Sequence, residues 1–211
     1  MHMQKKIMNK TKTVVKKIMW KIHGGYKAQE FWDRWSKTFM DDPWQREIHP
    51  QHVWIKDIID RNNSKTVLEV GCGFGRNIQF LIDNGYNPNS ITGIDISPEM
   101  IKKAKKYIKT NAVKLKTASV TTIPFDDSQF DITLSHGVLM HVPPRDIHEA
   151  LNEIIRVSKK GIVLVEQNYD GNEYTFIHNY KKLLHQKQLH VVEYKNSKNL
   201  GLDLIYVEIR K

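Results

Sequence analysis

Three glycines at alternate positions, Gly71, Gly73 and Gly75, stand in the run VLEVGCGFGRN between two acids, Glu69 before them and Asp95 in the run ITGIDIS after them. Residues without a Cβ let the backbone turn tightly and let a ligand touch it. A helix that follows such a turn presents unpaired N–H groups. The dinucleotide signature is G-x-G-x-x-G, but here the third glycine falls one position early and Arg76 fills the expected slot. Asp95 closes the next apolar run, where a carboxylate can accept both hydroxyls of a ribose. Glu69 would repel a pyrophosphate and suits a cationic group. Further along, SHGVLMHV carries His136 and His141, side chains whose ordinary pKa lies near neutrality and which could serve as bases.

The elements that must hold these residues follow from periodicity. Strands are expected over 66–70, 90–94, 113–118, 130–135, 161–166, 190–194 and 203–209, and helices over 77–84, 98–109, 145–157 and 174–186. Strands alternating with helices of this length imply a mostly parallel sheet covered on both faces. The last two strands, joined by KNSKNLGL, should be antiparallel. The expected fold class is α/β: a Rossmann-like, mostly parallel, seven-stranded sheet with a C-terminal antiparallel hairpin and a helical N-terminal cap. Ligands of such sheets bind at the carboxyl ends of the strands, where the glycine turn lies. Before the sheet, 52–59 should be a helix with Val53, Ile58 and Ile59 facing inward and Ile55 flanking. Phe31, Trp32, Trp35, Phe39 and Trp44 concentrate the aromatics, as a cap or as core. Val15, Ile18, Met19 and Ile22 make one apolar stripe among lysines, a short cationic amphipathic helix ended by Gly24-Gly25. The chain is expected to be one domain, with 1–60 a helical extension or cap and 61–211 the ligand-binding core.

A nucleoside bearing an ammonium and a sulfonium satisfies both acids, and S-adenosylmethionine is that molecule. The pieces VLEVGCGFGRN, ITGIDISPEMIKKAKK, TIPFDDSQFDITLSHGVLMHV and GIVLVEQN, in this order and spacing over about half the chain, resemble the class I S-adenosylmethionine-dependent methyltransferases of the broad type 11 group. The resemblance implies that Glu69, Gly71, Cys72, Gly73 and Gly75 surround the methionyl part, with Cys72 a small packing residue and no nucleophile. It implies that Asp95 binds the ribose and Ile96 flanks the adenine. Where the family usually has Asp-Ala before Leu-Pro-Phe, this chain has Ser119-Val120, and Ser119 can still accept a hydrogen bond. Ser135, His136 and Gly137 match the end of the fourth strand, facing cofactor and acceptor. The implied product is S-adenosylhomocysteine.

Methyl transfer from a sulfonium is an in-line displacement that needs positioning and exclusion of water, and aromatic walls attract the cation. For a hydroxyl acceptor His141 is the first candidate base and His136 the second, or either is a structural hydrogen-bonding group. Glu166, Asn168 and Tyr169 follow the fifth strand and could orient an acceptor or simply finish the strand. His49 and His52 are spaced like two ligands, but Pro50 separates them and no third ligand is near, so no metal is expected.

The chain has 211 residues, 40% of them hydrophobic and 27% charged, with a net charge of +10. One cysteine makes neither an internal disulfide nor a multi-cysteine zinc site and suits a reducing cytoplasm. Lysines interrupt any secretory h-region, and no apolar run could span a bilayer. Lysines crowd the first thirty residues and the stretch from Lys102 to Lys109, as solvated surface or as a handle for anions. No Asn/Asp-Pro-Pro-Tyr/Phe follows the fourth strand, which disfavours adenine-in-DNA chemistry. Three functions remain. One is methylation of an O or N atom of a small molecule. Another is RNA or protein methylation docked through the Lys-rich N-terminus, with nucleic acid not favoured and peripheral contact with an anionic membrane open. The third is a non-catalytic scaffold that binds S-adenosylmethionine.

Overall fold

The computed structural model describes residues 26–169 and 174–210. The amphipathic stripe from Val15 to Ile22 lies outside the described residues. Among the described residues three helices come first: α1 (Ala28–Trp35), α2 (Pro43–Arg46) and α3 (Pro50–Arg61). Then follow β1 (Val67–Val70), α4 (Arg76–Asp83), β2 (Ile91–Asp95), α5 (Pro98–Tyr107), β3 (Lys114–Thr117), β4 (Phe130–His136), α6 (Ile147–Val157), β5 (Ser158–Gln167), α7 (Tyr180–Gln186), β6 (His190–Ser197) and β7 (Leu202–Glu208). The sheet has seven strands in the order β3-β2-β1-β4-β5-β7-β6. The first five are mutually parallel, and β7 runs antiparallel to both β5 and β6. The fold class expected from the sequence is the one observed.

Alternation along the strands explains the two-sided core. Val67 faces α3, α4 and α5, and Leu68 faces the other way. The same alternation separates Ile162 and Leu164 from Val163 and Val165 in β5. On one face Ile55, Ile58 and Ile59 of α3 join Ile78 and Leu81 of α4 and Ile101 and Ala104 of α5. On the other, Ile147, Ala150, Leu151 and Ile154 of α6 join Tyr180 and Leu184 of α7. Local signals set the helix starts. Ser97 caps α5 by accepting from Met100 N at 3.1 Å, and Pro98 fills the first helical position.

Two expectations are corrected. Val53 is 59% exposed, whereas Ile55 is 1% exposed and belongs to the core. The inward face of α3 is the 51, 55, 58 row, closed by Ile59, and Val53 falls on the opposite side. The helix expected from Tyr174 starts only at Tyr180, with Asn179 as its cap accepting from Lys182 N at 3.0 Å. Residues 175–179 form no regular element, and their polar groups bond the loop after β4 instead: Phe176 N donates to Met140 O at 2.7 Å, and His178 Nε2 lies 2.9 Å from Val142 O. Among the described residues no helix is long and apolar enough to cross a membrane.

Candidate active site

The strand order reverses between β1 and β4, so the chain leaves these neighbours toward opposite faces and a crevice opens at their carboxyl ends. A cavity of about 270 Å³ occupies that crevice. The glycine turn, Asp95 of β2, the loop after β4, and the first helices form its walls.

The turn is fixed by hydrogen bonds. Cys72 N donates to Ile94 O at 2.8 Å and Gly75 N to Cys72 O at 2.9 Å. Gly73 N donates to Asp95 Oδ2 and Ser97 N to Asp95 Oδ1, both at 2.8 Å. One lone pair of each oxygen is thus held by backbone, and the other remains for a ligand diol. Burial pushes the Asp95 carboxyl up to about 6 despite these two amides. Gly71 and Gly73 have positive φ, +65° and +54°. A Cβ on Gly71 would stand 2.2 Å from Val138 Cγ2, so the glycine is what lets the loop after β4 close on the turn. A Cβ on Gly73 would meet nothing within 4 Å, which leaves a bare backbone cradle facing the cavity.

Glu69 is 3% exposed. Its Oε1 accepts from Asn77 Nδ2 at 2.5 Å, and its Oε2 has no partner among the described residues. Burial pushes this carboxyl up to about 8, opposed by the Asn77 bond and by the positive charge of Arg76. An unpaired buried carboxylate oxygen at a cavity wall is a seat for a cation. Arg76 opens α4 and donates through Nη1 to Trp44 O at 2.7 Å, tying the first helices to the turn. Asn77 escaped the sequence reading, which noted Arg76 only as filling the slot of an expected glycine. Their position directly after the glycine turn was the available signal.

Both histidines line the cavity. His141 Nδ1 lies 2.7 Å from Tyr174 O, a carbonyl that can only accept. Nδ1 therefore carries the proton and Nε2 is a free acceptor. Burial holds His141 down to about 4, so it is neutral at physiological pH. The Trp32 ring meets it edge to face at 4.8 Å. His136 Nδ1 lies 3.3 Å from Asn77 Oδ1, the acceptor end of an amide whose nitrogen serves Glu69. Its Nδ1 is likewise the protonated one, and burial together with Arg76 pushes its pKa well down.

The other expected residues fall in three groups. Ile96, Ser119, Val120 and Cys72 line the cavity with Met100. Ser119 Oγ is already engaged with Thr121 Oγ1 at 2.8 Å and Thr121 N at 3.2 Å, which leaves it at most one lone pair for an adenine amine. Cys72 is buried and its thiol is pushed well up by burial and the two acids, which opposes thiolate chemistry. Gly75 and Ser135 are not in the cavity wall. Gly75 caps α4 beside Ile108, and Ser135 is fully buried with its hydroxyl on Glu166 Oε1 at 2.7 Å. The alternation of β4 turns Ser135 away from the crevice. Asn168 and Tyr169 also lie elsewhere, on a shallow groove beside the β6–β7 turn. Of the three tryptophans, Trp32 lines the cavity, while Trp35 is 43% and Trp44 41% exposed. The His49/His52 pair is a helix cap: His52 Nδ1 accepts from His49 N at 2.9 Å, and Trp44 stacks on the His49 ring.

Residues 67–161 match the family described as "Methyltransferase domain". A 110-residue stretch is 33% identical to 2-methyl-6-phytyl-1,4-hydroquinone methyltransferase of Synechocystis sp., covering 51% of this chain and 33% of that protein. A 97-residue stretch is 33% identical to phthiotriol/phenolphthiotriol dimycocerosates methyltransferase of Mycobacterium tuberculosis, covering 46% of this chain and 35% of that protein. The chain thus spans about a third of the length of these relatives. The fold superposes with a TM-score of 0.65 at 17% identity on 1,6-didemethyltoxoflavin-N1-methyltransferase of Burkholderia thailandensis, solved with its substrate and S-adenosylhomocysteine, over 88% of this chain and 92% of that one. The residues fit S-adenosylmethionine: Asp95, held by two amides, keeps lone pairs that suit a diol, Glu69 Oε2 is an unpaired buried carboxylate oxygen that suits an ammonium, and a glycine cradle lies between them. By its matched residues 67–161, its switch-point cavity and its sheet order, the chain resembles the class I S-adenosylmethionine-dependent methyltransferases.

Proposed function

We propose that the protein transfers the methyl group of S-adenosylmethionine to an oxygen or nitrogen atom of a small molecule: a metabolite, a sugar or a lipid-linked precursor. The observation that carries this reading is the composition of one continuous cavity. It joins the acids Asp95 and Glu69 to a chamber walled by Trp32, Phe39 and Val142, into which the loop of His141 opens. Such a chamber suits a compact acceptor better than a polymer.

When bound, S-adenosylmethionine would supply an electrophilic methyl group on a cationic sulfur. Asp95 would accept the ribose hydroxyls, Glu69 would hold the ammonium, and Ile96 and Met100 would give the adenine an apolar bed. His136 and His141 each present a neutral Nε2 to the cavity side. His141 Nε2 accepts a hydrogen bond from the acceptor's O–H or N–H and aims the atom's lone pair. The acceptor's proton would pass toward that nitrogen while the methyl group leaves sulfur for the acceptor atom, the methyl–sulfur bond breaking as the new bond forms and S-adenosylhomocysteine being the leaving group. Burial disfavours a lasting imidazolium, so His141 orients the proton more than it stores it. The rings of Trp32 and Phe39 exclude water. The assigned relatives and the toxoflavin enzyme, all named for small or lipid-like molecules, support this class of acceptor.

The test is incubation with methyl-labelled S-adenosylmethionine and a lysate separated into small-molecule, lipid, RNA and protein fractions. Label in the small-molecule or lipid fraction is expected. Label confined to RNA or protein would overturn the reading and make the Lys-rich N-terminus a docking arm.

A further inference from the structure

Glu166 ends the apolar run of β5 and is fully buried, yet it does not line the cavity. Its Oε1 accepts from Ser135 Oγ at 2.7 Å, Val138 N at 3.3 Å and Leu139 N at 3.2 Å, and its Oε2 accepts from Met140 N at 3.1 Å. Three consecutive backbone amides therefore converge on one carboxylate. They belong to the loop after β4, where a single 3-10 turn, Leu139–His141, leaves its first N–H groups without partners of its own.

That loop carries much of the cavity wall. Val138 packs onto Gly71 of the glycine turn. Met140 O and Val142 O receive the 174–178 segment, and Tyr174 O in that segment fixes His141 Nδ1. We infer that Glu166 is a positioning residue: its buried carboxylate folds the loop 137–141 around itself and so sets the places of Val138 against the cofactor turn and of His141 in the acceptor chamber. Ser135 acts through the same carboxylate rather than on the cofactor. An amide in place of the acid cannot do this. Glutamine has nearly the same volume, but one of its two terminal atoms is an NH2 group, which would confront a backbone N–H donor to donor. The consequence is local, because the amides concerned all lie within one turn of the loop.

The inference rests on the cofactor reading only where ligand affinity is measured, so the experiment has two arms. In the first, 15N-histidine NMR of the full chain reads the tautomer of His141. The wild type is expected to show Nδ1–H with Nε2 unprotonated. Glu166→Gln is expected to show an averaged tautomer at His141. In the second, calorimetry measures S-adenosylhomocysteine binding, which is expected to weaken by about tenfold, in line with a small displacement of a binding wall. Ser158→Ala serves as the control. It removes a buried hydroxyl bonded to Thr133 Oγ1 and Ile154 O at the far end of β5, so it lowers stability without touching the loop. It should leave both readouts as in the wild type. Where Glu166→Gln does not fold, Glu166→Asp keeps the charge but withdraws it from the amides, and should also average the tautomer. A folded variant at Glu166 that keeps the His141 tautomer and binds within about twofold of wild type overturns the inference. A wild type that does not bind S-adenosylhomocysteine overturns the cofactor reading and leaves the tautomer arm to decide on Glu166.

Discussion

Asp95 is held by two backbone amides at the end of a buried strand, whereas Trp32, on the other side of the same cavity, is held by rings: Phe31 at 5.3 Å, Phe39 at 5.8 Å and His141 at 4.8 Å. The Asp95 end, proposed for the cofactor, is built by the sheet. Its groups hang from β1, β2 and the turn between β1 and α4, so their positions are set by ladder hydrogen bonds. The Trp32 end, proposed for the acceptor, is built by short helices and loops. Their polar attachments to the core include Ser97 Oγ on Asp33 and Arg76 on Trp44 O. Backbone-held groups can be shared among many methyltransferases because every such sheet has these strand ends. Ring-held walls can change one residue at a time, which is how one fold accommodates different acceptors.

If this contrast is right, the largest losses of cofactor affinity come from the sheet end. Asp95→Ala removes the ribose acceptor and also releases Gly73 N and Ser97 N. Affinity for S-adenosylhomocysteine is expected to fall by about 1–3 kcal/mol. Calorimetry checks this, and unchanged affinity would remove Asp95 from the site. Trp32→Ala, at the other end, should leave that affinity within about threefold, since aromatic pairs are worth about 0.5–1.5 kcal/mol and these face the acceptor chamber.

The glycines sharpen the contrast within the turn itself. Gly71→Ala forces Val138 away and adds left-handed strain, so its main effect should be on stability, about 1–3 kcal/mol from overpacking. Gly73→Ala meets no protein atom and should cost only about 1 kcal/mol of stability for its positive φ. Its methyl group stands in the cradle, so it should cost more in affinity than in stability. Thermal unfolding and calorimetry on the two variants should therefore rank them in opposite orders. Equal ranking would show that Gly73 does not face the ligand.

The same division decides what could be read from the sequence. The strands, their order of function and the acids at their ends were legible because period-two runs and a glycine turn are local signals. Ser135 was placed on the cofactor by its neighbours in the motif, but its face of β4 depends on register against β5, which a single strand does not reveal. Glu166 was visible as an acid closing an apolar run, and only the fold brings the loop amides to it. Val53 and Ile55 exchanged roles because α3 has apolar residues on more than one side, and the sheet selects the face. Residues 174–179 have a composition compatible with helix, yet the carbonyls of the loop after β4 compete for their hydrogen bonds and win. Asn77 bonds both Glu69 and His136 and matched no expectation, because amides bridge partners that are far apart in sequence.

A smaller effect separates the two ends by pH. Burial lifts Glu69 to about 8 from an ordinary 4.5. The folded state holds that proton more tightly than the unfolded state. Glu69's contribution to stability is therefore full below about pH 4.5 and lost as pH rises through about 8. A cationic ligand selects the ionised form, so binding at neutral pH releases a proton and affinity for S-adenosylmethionine rises between about pH 6 and 8. Glu69→Gln should flatten that rise. Calorimetry in buffers of different ionisation enthalpy counts the proton, and a count of zero at neutral pH in the wild type would place the cation elsewhere.

The smallest expected effect is at the joint between the two ends. Ser97 Oγ donates to Asp33 Oδ1 at 2.5 Å, and Ser97 N holds Asp95. Asp33 sits close enough to add to the upward pressure on the Asp95 carboxyl, behind burial as the main cause. Asp33→Ala leaves Ser97 able to cap α5, since Met100 N still donates to its hydroxyl. Stability should fall by only about 0.5–1.5 kcal/mol, the net value of one hydrogen bond. Asp95 then loses a like-charged neighbour, so its pKa moves down toward the ordinary carboxylate range. Cofactor affinity, which needs Asp95 ionised, should consequently persist to lower pH in the variant than in the wild type. An acid limb that does not move would mean that α1 rests on the sheet end without touching its electrostatics, and that the cap and the cofactor acid are independent.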